Sequence, residues 1–305
     1  MTENGQGSGQ LIRPLIVGAD GLIGRALSQH FAAAGVPALE TNRRSGGGRL
    51  VLDLAALPAD WAPPAGIDAA FLCAAVTSEA TCRDQPELAR RVNVEATIEL
   101  ARRLTAGGAF VVLLSSSLVF DGRAPQRQAS EPTAPGNFYG SLKAEAEAGI
   151  LALDDPAFGP AFGAGVAVVR MTKIIGADTA LLRGWIEALK RQEVVRPFDD
   201  MVFAPLSAAF TAAALGRVAA TRTCGILHLS AAADISYADA ARHIARRLGV
   251  PAERVQPVSR RSVGIPDAVA PAHTTLAIAA TERGIGLTAP DPFAMLDDCL
   301  GFSRY

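Results

Sequence analysis

Tyr139 and Lys143 stand four residues apart in the segment Asn137-Phe138-Tyr139-Gly140-Ser141-Leu142-Lys143. On a helix, positions i and i+4 share a face, so the lysine ammonium is expected beside the phenol. A neighbouring cation favours phenolate and draws a tyrosine pKa down from about 10, which would make Tyr139 a proton donor or acceptor near neutrality. The chain has only three Tyr and three Lys in 305 residues, so the pairing is hard to ascribe to an ordinary solvated helix face. Ser115-Ser116-Ser117 ends the apolar run that begins at Ala109. At the carboxyl end of a strand a hydroxyl can bond a carbonyl or alcohol oxygen; for Ser115 and Ser117, turn hydrogen bonds are the simpler expectation.

These residues need elements to position them. Leu11 to Val17 reads as a strand, Gly18-Ala19-Asp20-Gly21-Leu22-Ile23-Gly24 as a glycine turn, and Leu22 to Ala34 as an amphipathic helix. In a strand-turn-helix unit Gly18 permits the turn, Gly21 lets backbone approach a pyrophosphate, and Gly24 allows close packing, which points to dinucleotide binding. Further strands are expected at Pro37 to Thr41, Arg49 to Leu52, Ala69 to Ala74, Ala109 to Ser115 and Gly165 to Met171, with helices at Pro86 to Leu104 and Tyr139 to Leu151. Near-continuous apolar strands alternating with helices predict an α/β fold, a doubly wound parallel sheet of Rossmann type.

Residues 1–10 read as a polar tail, 11–176 as the dinucleotide-binding domain, and 177–305 as a smaller mixed α/β substrate-binding region. Helices are expected there at Thr179 to Gln192, Ser207 to Ala220 and Tyr237 to Leu248. Ile226 to Leu229 looks like a strand on which the chain crosses back to the main sheet.

The second strand carries the cofactor discriminator. Asn42 lies 18 residues beyond Gly24 and is followed by Arg43 and Arg44. A neutral residue beside guanidinium groups suits a ribose 2′-phosphate, so NADP(H) is favoured over NAD(H), with Glu40 as the rival ribose ligand. Asp53, followed by Leu54, is placed to cap an adenine amino group.

Composition narrows the alternatives. Half of the residues are hydrophobic and 19% charged, enough for a well-buried core, and a formal net charge of −1 gives no broad basic field for nucleic acid. Residues 1–10 lack a secretory signal's basic start and apolar run, and no apolar stretch spans a bilayer, so a cytoplasmic protein without a membrane partner is expected. Cys73, Cys82, Cys224 and Cys299 are scattered, as are His30, His228, His243 and His273, and no metal site is expected.

Longer blocks carry a family likeness. Leu72-Cys73-Ala74-Ala75-Val76-Thr77, Pro86 to Ala96 with Asn93 inside it, and Ser115-Ser116-Ser117-Leu118-Val119-Phe120-Asp121-Gly122 join the glycine turn and the Tyr/Lys pair. Together they resemble the extended short-chain dehydrogenase/reductases, in the sugar-nucleotide reductase branch that includes dTDP-4-dehydrorhamnose reductase. The resemblance implies that Ser116, Tyr139 and Lys143 are catalytic. It places Cys73, Ala74, Ala75 and Asn93 at the cofactor together with Gly18, Gly21, Leu22, Ile23, Gly24, Asn42, Arg43, Arg44, Asp53, Leu54, Tyr139 and Lys143. It also implies a nucleotide-sugar substrate, and a homodimer is one assembly that fits. Ser117, Leu118 and Val76 depart from the branch at positions expected to border the sugar, so dTDP-4-dehydrorhamnose itself is expected to be a poor substrate. Arg170, Arg183, Arg196 and Arg260 are candidate diphosphate partners.

The leading expectation is therefore NADPH-dependent reduction of a keto group on a nucleotide-linked sugar. The alternatives are an NAD-dependent epimerase using the same trio and a non-catalytic NAD(P)-binding regulatory protein. A dehydratase would need an acid and a base directly after the strand-five hydroxyl, where this chain has Ser117 and Leu118.

Overall fold

The computed structural model describes residues 13–44, 48–154, 165–265 and 270–302. Pro14–Val17 (β1) leads through the glycine turn into Leu22–Ala33 (α1), followed by Leu39–Asn42 (β2), Leu50–Val51 (β3) and Ala69–Leu72 (β4). Glu79–Asp84 (α2), Pro86–Arg90 (α3) and Ala96–Ala106 (α4) precede Phe110–Ser116 (β5), and Phe138–Leu151 (α5) precedes Val166–Met171 (β6). Then come Lys173–Ile175 (β7), Ala180–Lys190 (α6), Val202–Phe203 (β8), Pro205–Ser207 (β9) and Ala208–Thr221 (α7). The chain finishes with Gly225–Leu229 (β10), Ile235–Ser236 (β11), Tyr237–Arg247 (α8), Ala279–Ile285 (α9) and Pro292–Leu300 (α10).

Seven strands form one parallel sheet in the order β10-β6-β5-β4-β1-β2-β3. Successive side chains on a strand face opposite layers, and here both layers are apolar. Ile16, Phe71, Phe110 and Val112 pack with Leu27 and Phe31 of α1 and Leu215 and Val218 of α7. Leu15, Val17, Ala70, Val111 and Leu113 face the other way, onto Leu100 and Leu104 of α4 and Ala146 and Ile150 of α5. A third cluster joins Trp185 and Leu189 of α6, Ile244 of α8 and Leu296 of α10. Among the described residues no helix is long and apolar enough to cross a membrane.

Strand order reverses at β1, whose neighbours β2 and β4 lie on opposite sides, so a crevice opens at the carboxyl ends of β1 and β4. Gly18 (φ +86°) ends β1, and a Cβ on Gly24 would lie 2.3 Å from the Gly18 carbonyl oxygen, so α1 starts tight against the turn.

One feature differs from the sequence expectation. The helix expected over Pro86 to Leu104 is interrupted by a π-helical turn at Arg91–Glu95, and that turn carries Asn93. The chain after residue 176 returns to the main sheet at the strand expected over Ile226 to Leu229: β10 completes that sheet beside β6, while α7 and α9 supply part of the core on one face.

Candidate active site

Ser116, Tyr139 and Lys143 line one cavity of about 570 Å³ above the carboxyl ends of the central strands. Local structure explains the convergence. Ser116 is the last residue of β5, and its Oγ accepts from the Leu118 backbone N–H at 3.2 Å, capping a short 3₁₀ turn. Asn137 caps α5 by accepting from the Gly140 N–H at 2.8 Å, which sets Tyr139 in the first turn and Lys143 one turn on. A Cβ at Gly140 would lie 2.0 Å from the Leu118 carbonyl oxygen. Only glycine lets the tyrosine helix sit this close to the serine turn, so Gly140 brings the two halves of the trio together.

Beneath the trio lies a buried polar network. The Ser115 hydroxyl donates to the Glu147 carboxylate, which also receives Arg170 through Nε and Nη2. Glu147 is four residues beyond Lys143, and it acts electrostatically to hold the Lys143 proton. Arg170 lies over the Phe120 ring, 5.0 Å from its centroid, and its Nη1 is 3.5 Å from His228 Nε2. His228 Nδ1 lies 3.0 Å from the Ala277 carbonyl, the position of a proton donor, which leaves Nε2 to accept.

The electrostatics correct the simple proximity argument. Burial pushes the Tyr139 phenol up to about 12, with a smaller contribution from Cys82. Burial also brings the Lys143 ammonium down to about 8, against the opposing pull of Glu147 and Cys73. Spacing on a helix indicates that two groups share a face but not how much water they lose, and here desolvation sets the direction for both. Near neutrality Lys143 is still cationic and Tyr139 still holds its proton.

A second cavity, of about 720 Å³, adjoins the first: Gly21, Cys73 and Ala75 line both. It is lined further by Gly18, Asn42, Arg43, Arg44, Asp53, Leu54 and Ala74, while Leu22, Ile23 and Gly24 border the trio's cavity. The N-terminus of α1 has no side-chain cap, and the Asn42 Oδ1 is buried without a partner among the described residues. Open backbone N–H groups, an unpaired amide oxygen and two arginines on one crevice fit a dinucleotide. Asp53 accepts from the Ala55 N–H at 2.9 Å, so one of its oxygens is occupied in its own 3₁₀ turn.

Some expected positions fall elsewhere. Asn93 lines neither cavity: its Oδ1 accepts from the Val76 N–H at 2.8 Å and its Nδ2 donates to the Val76 carbonyl at 2.9 Å. It is 1% exposed and holds the Cys73 to Val76 segment by the Val76 backbone. Val76 borders the glycine-turn cavity, whereas Ser117 and Leu118 do border that of the trio. Arg170 is committed to Glu147 in the core, and Arg183, Arg196 and Arg260 line neither cavity.

Other residues were not singled out from sequence. Arg49 donates to Glu40 and, at 2.6 Å, to Asp20, so Glu40 is engaged and does not line the glycine-turn cavity. Glu147 was findable, since it continues the Tyr139 and Lys143 face one more turn. Arg49 had no such signal, because its partners lie 9 and 29 residues away. Among the described residues no group of three or more His, Cys, Asp or Glu could hold a metal ion.

The family described as RmlD substrate binding domain matches residues 12–300. The chain belongs to that family. Over 203 residues it is 32% identical to methionine adenosyltransferase 2 subunit beta of Xenopus tropicalis, a match covering 64% of this chain and 54% of that protein. The matched part of the chain thus spans about half the length of that relative. It is 29% identical to dTDP-4-dehydrorhamnose reductase of Streptomyces griseus over 277 residues, covering 87% of this chain and 85% of the relative. The solved structure of dTDP-4-dehydrorhamnose reductase from Bacillus anthracis in complex with NADP superposes with a TM-score of 0.78 at 19% identity, covering 96% of this chain and 99% of that one. The fold is a Rossmann-type α/β fold of the extended short-chain dehydrogenase/reductase kind, as the RmlD family match and this superposition show.

Proposed function

We propose that the chain is an NADPH-dependent reductase of a keto group on a nucleotide-linked sugar. The observation that carries the reading is the convergence of Ser116, Tyr139 and Lys143 on one cavity that shares Gly21, Cys73 and Ala75 with the crevice lined by the glycine turn and by Arg43 and Arg44. Gly18, Gly21, Asn42, Arg43, Arg44, Asp53, Leu54, Cys73, Ala74 and Ala75 would hold the cofactor along that crevice, with Leu22, Ile23 and Gly24 at its junction with the trio. When bound, nicotinamide supplies the hydride. Tyr139 gives its phenolic proton to the carbonyl oxygen of the substrate, Ser116 donates a hydrogen bond to the same oxygen, and Lys143 stabilises the phenolate left on Tyr139. A reductase needs the phenol protonated at the start, and the high Tyr139 pKa keeps it so. Arg43 and Arg44 favour NADPH, and the capture of Glu40 by Arg49 removes the carboxylate that would compete as a ribose ligand.

NADPH and NADH oxidation should be followed with a panel of keto nucleotide sugars and of simple free ketones. Turnover with a nucleotide sugar supports the reading, with dTDP-4-dehydrorhamnose expected among the poorer substrates because Ser117 and Leu118 border the cavity. Turnover of free ketones alone would retain the reductase and remove the sugar nucleotide. An NAD-dependent epimerase would instead show tightly held cofactor and no net NADPH consumption.

A second reading, a non-catalytic NAD(P)-binding regulatory subunit, is favoured by the similarity to methionine adenosyltransferase 2 subunit beta. It requires cofactor binding without turnover on any carbonyl, and with binding unaltered in a Ser116→Ala, Tyr139→Phe double variant.

A further inference from the structure

We infer that Lys173, with the Thr172 hydroxyl beside it, forms an oxyanion-binding subsite for the substrate. The inference rests on reading the trio's cavity as a substrate site, and it names the group that the cavity selects. Lys143 and Lys173 are the only charged side chains among the described residues lining that cavity, and no carboxylate lines it there. They are two of the three lysines in a chain whose formal net charge is −1, so the positive character is local to the site.

The two lysines stand differently. Lys143 is 4% exposed and shares its helix face with Tyr139 and Glu147. Lys173 is exposed, begins β7, and makes no ion pair among the described residues. An ammonium on a cavity wall with no internal counter-charge attracts an anionic group from the ligand. Its backbone is fixed by the Thr172 N–H, which donates to the Leu229 carbonyl at 3.1 Å, and by the pairing of β7 with β9.

Thr172 supplies an independent sign. It is 5% exposed, lines the same cavity, and its Oγ has no hydrogen-bond partner among the described residues. Buried hydroxyls nearly always have one, and the cavity is where a partner could arrive. Arg170 is engaged by Glu147, and no other arginine among the described residues lines this wall, so Lys173 is the cation positioned to meet the substrate's charge. The ligand group is an oxyanion, either a carboxylate on the sugar or a phosphate oxygen of the nucleotide diphosphate.

The test titrates NADPH-saturated wild-type, Lys173→Gln and Lys173→Arg proteins calorimetrically with UDP-glucuronic acid, UDP-glucose, UDP, glucuronate and pyrophosphate. Lys173→Gln should weaken the anionic probes about tenfold or more, and Lys173→Arg should stay within about threefold of wild type. A carboxylate subsite makes UDP-glucuronic acid bind more tightly than UDP-glucose in wild type, with the gap lost in Lys173→Gln. A diphosphate subsite weakens UDP and both UDP-sugars equally. If every probe binds Lys173→Gln as it binds wild type, or none binds wild type, the subsite is wrong. If pyrophosphate or glucuronate binds through Lys173 while no nucleotide sugar binds, the subsite stands and the nucleotide-sugar reading falls.

Discussion

Glu147 and Arg170 form a two-point ion pair, with Arg170 Nη2 at 2.8 Å and Nε at 3.0 Å from Glu147 Oε2, and each side chain is only 3% exposed. The pair ties α5, which carries Tyr139 and Lys143, to β6. Through the Ser115 hydroxyl it reaches β5, at whose end Ser116 sits. An arginine that could have served a ligand is thereby structural.

Arg170→Met should therefore destabilise the protein by about 3 to 5 kcal/mol, because Glu147 would be left buried without its cation. Adding Glu147→Leu should recover most of that loss, since two apolar side chains leave no stranded charge. Urea unfolding measures both, and a single variant within about 1 kcal/mol of wild type would show the pair to be dispensable.

Tyr139→Phe should lower turnover at least about 100-fold, the scale of a general acid, and leave NADPH affinity nearly intact. Steady-state rates with any accepted carbonyl, beside a fluorescence titration of NADPH, separate the two effects. Wild-type turnover in this variant would remove Tyr139 from the mechanism.

The pH profile should report Lys143. Its ammonium titrates at about 8, so kcat/KM for reduction should fall as pH rises through that region. Glu147 holds the Lys143 proton, so Glu147→Gln should move the falling limb to lower pH while retaining an acceptor for Ser115. An identical midpoint in the two proteins would break the link between Glu147 and Lys143.

NADPH should bind about tenfold or more tightly than NADH, equivalent to about 1.4 kcal/mol, and Arg43→Ala should erase most of the preference. Arg49→Ala is a sharper probe, because it frees Glu40 from its ion pair. That variant should bind NADPH less tightly and NADH no worse. Equal wild-type titration curves for the two cofactors would contradict the assignment.

His228 predicts how stability responds to acid. Burial, reinforced by Arg170, holds its pKa down to about 4 from an ordinary value of 6.5. Between those values the unfolded chain binds a proton that the folded chain refuses. Stability should thus fall as pH drops from about 6.5 to 4, by up to about 1.4 kcal/mol per pH unit from this group. Urea unfolding of wild type and His228→Gln at pH 7 and pH 5 isolates the difference; equal losses in both would exclude His228 as the source.

The sequence alone determined the features that local pattern sets. Apolar runs of strand length alternating with amphipathic helices dictated the parallel sheet, because such runs must be covered on both faces. The glycine spacing after β1 and the Tyr139 and Lys143 interval needed nothing beyond the geometry of one turn and one helix. Even the return of the chain at Ile226 to Leu229 showed as an apolar strand, and that segment lies within β10 beside β6. Tertiary structure decided whatever depends on partners distant in sequence or on lost water. It turned Asn93 toward the Val76 backbone 17 residues away, Arg170 toward Glu147 23 residues away, and Arg49 toward Glu40 and Asp20. It also reversed the expected direction for Tyr139, since a shared helix face brings the cation near but only the packed cavity sets how far the phenol is desolvated. Lys173 and Thr172 belong to this second class: their side chains matter because, among the described residues, folding sets one without a counter-charge and the other without a hydrogen-bond partner on the wall of a single cavity.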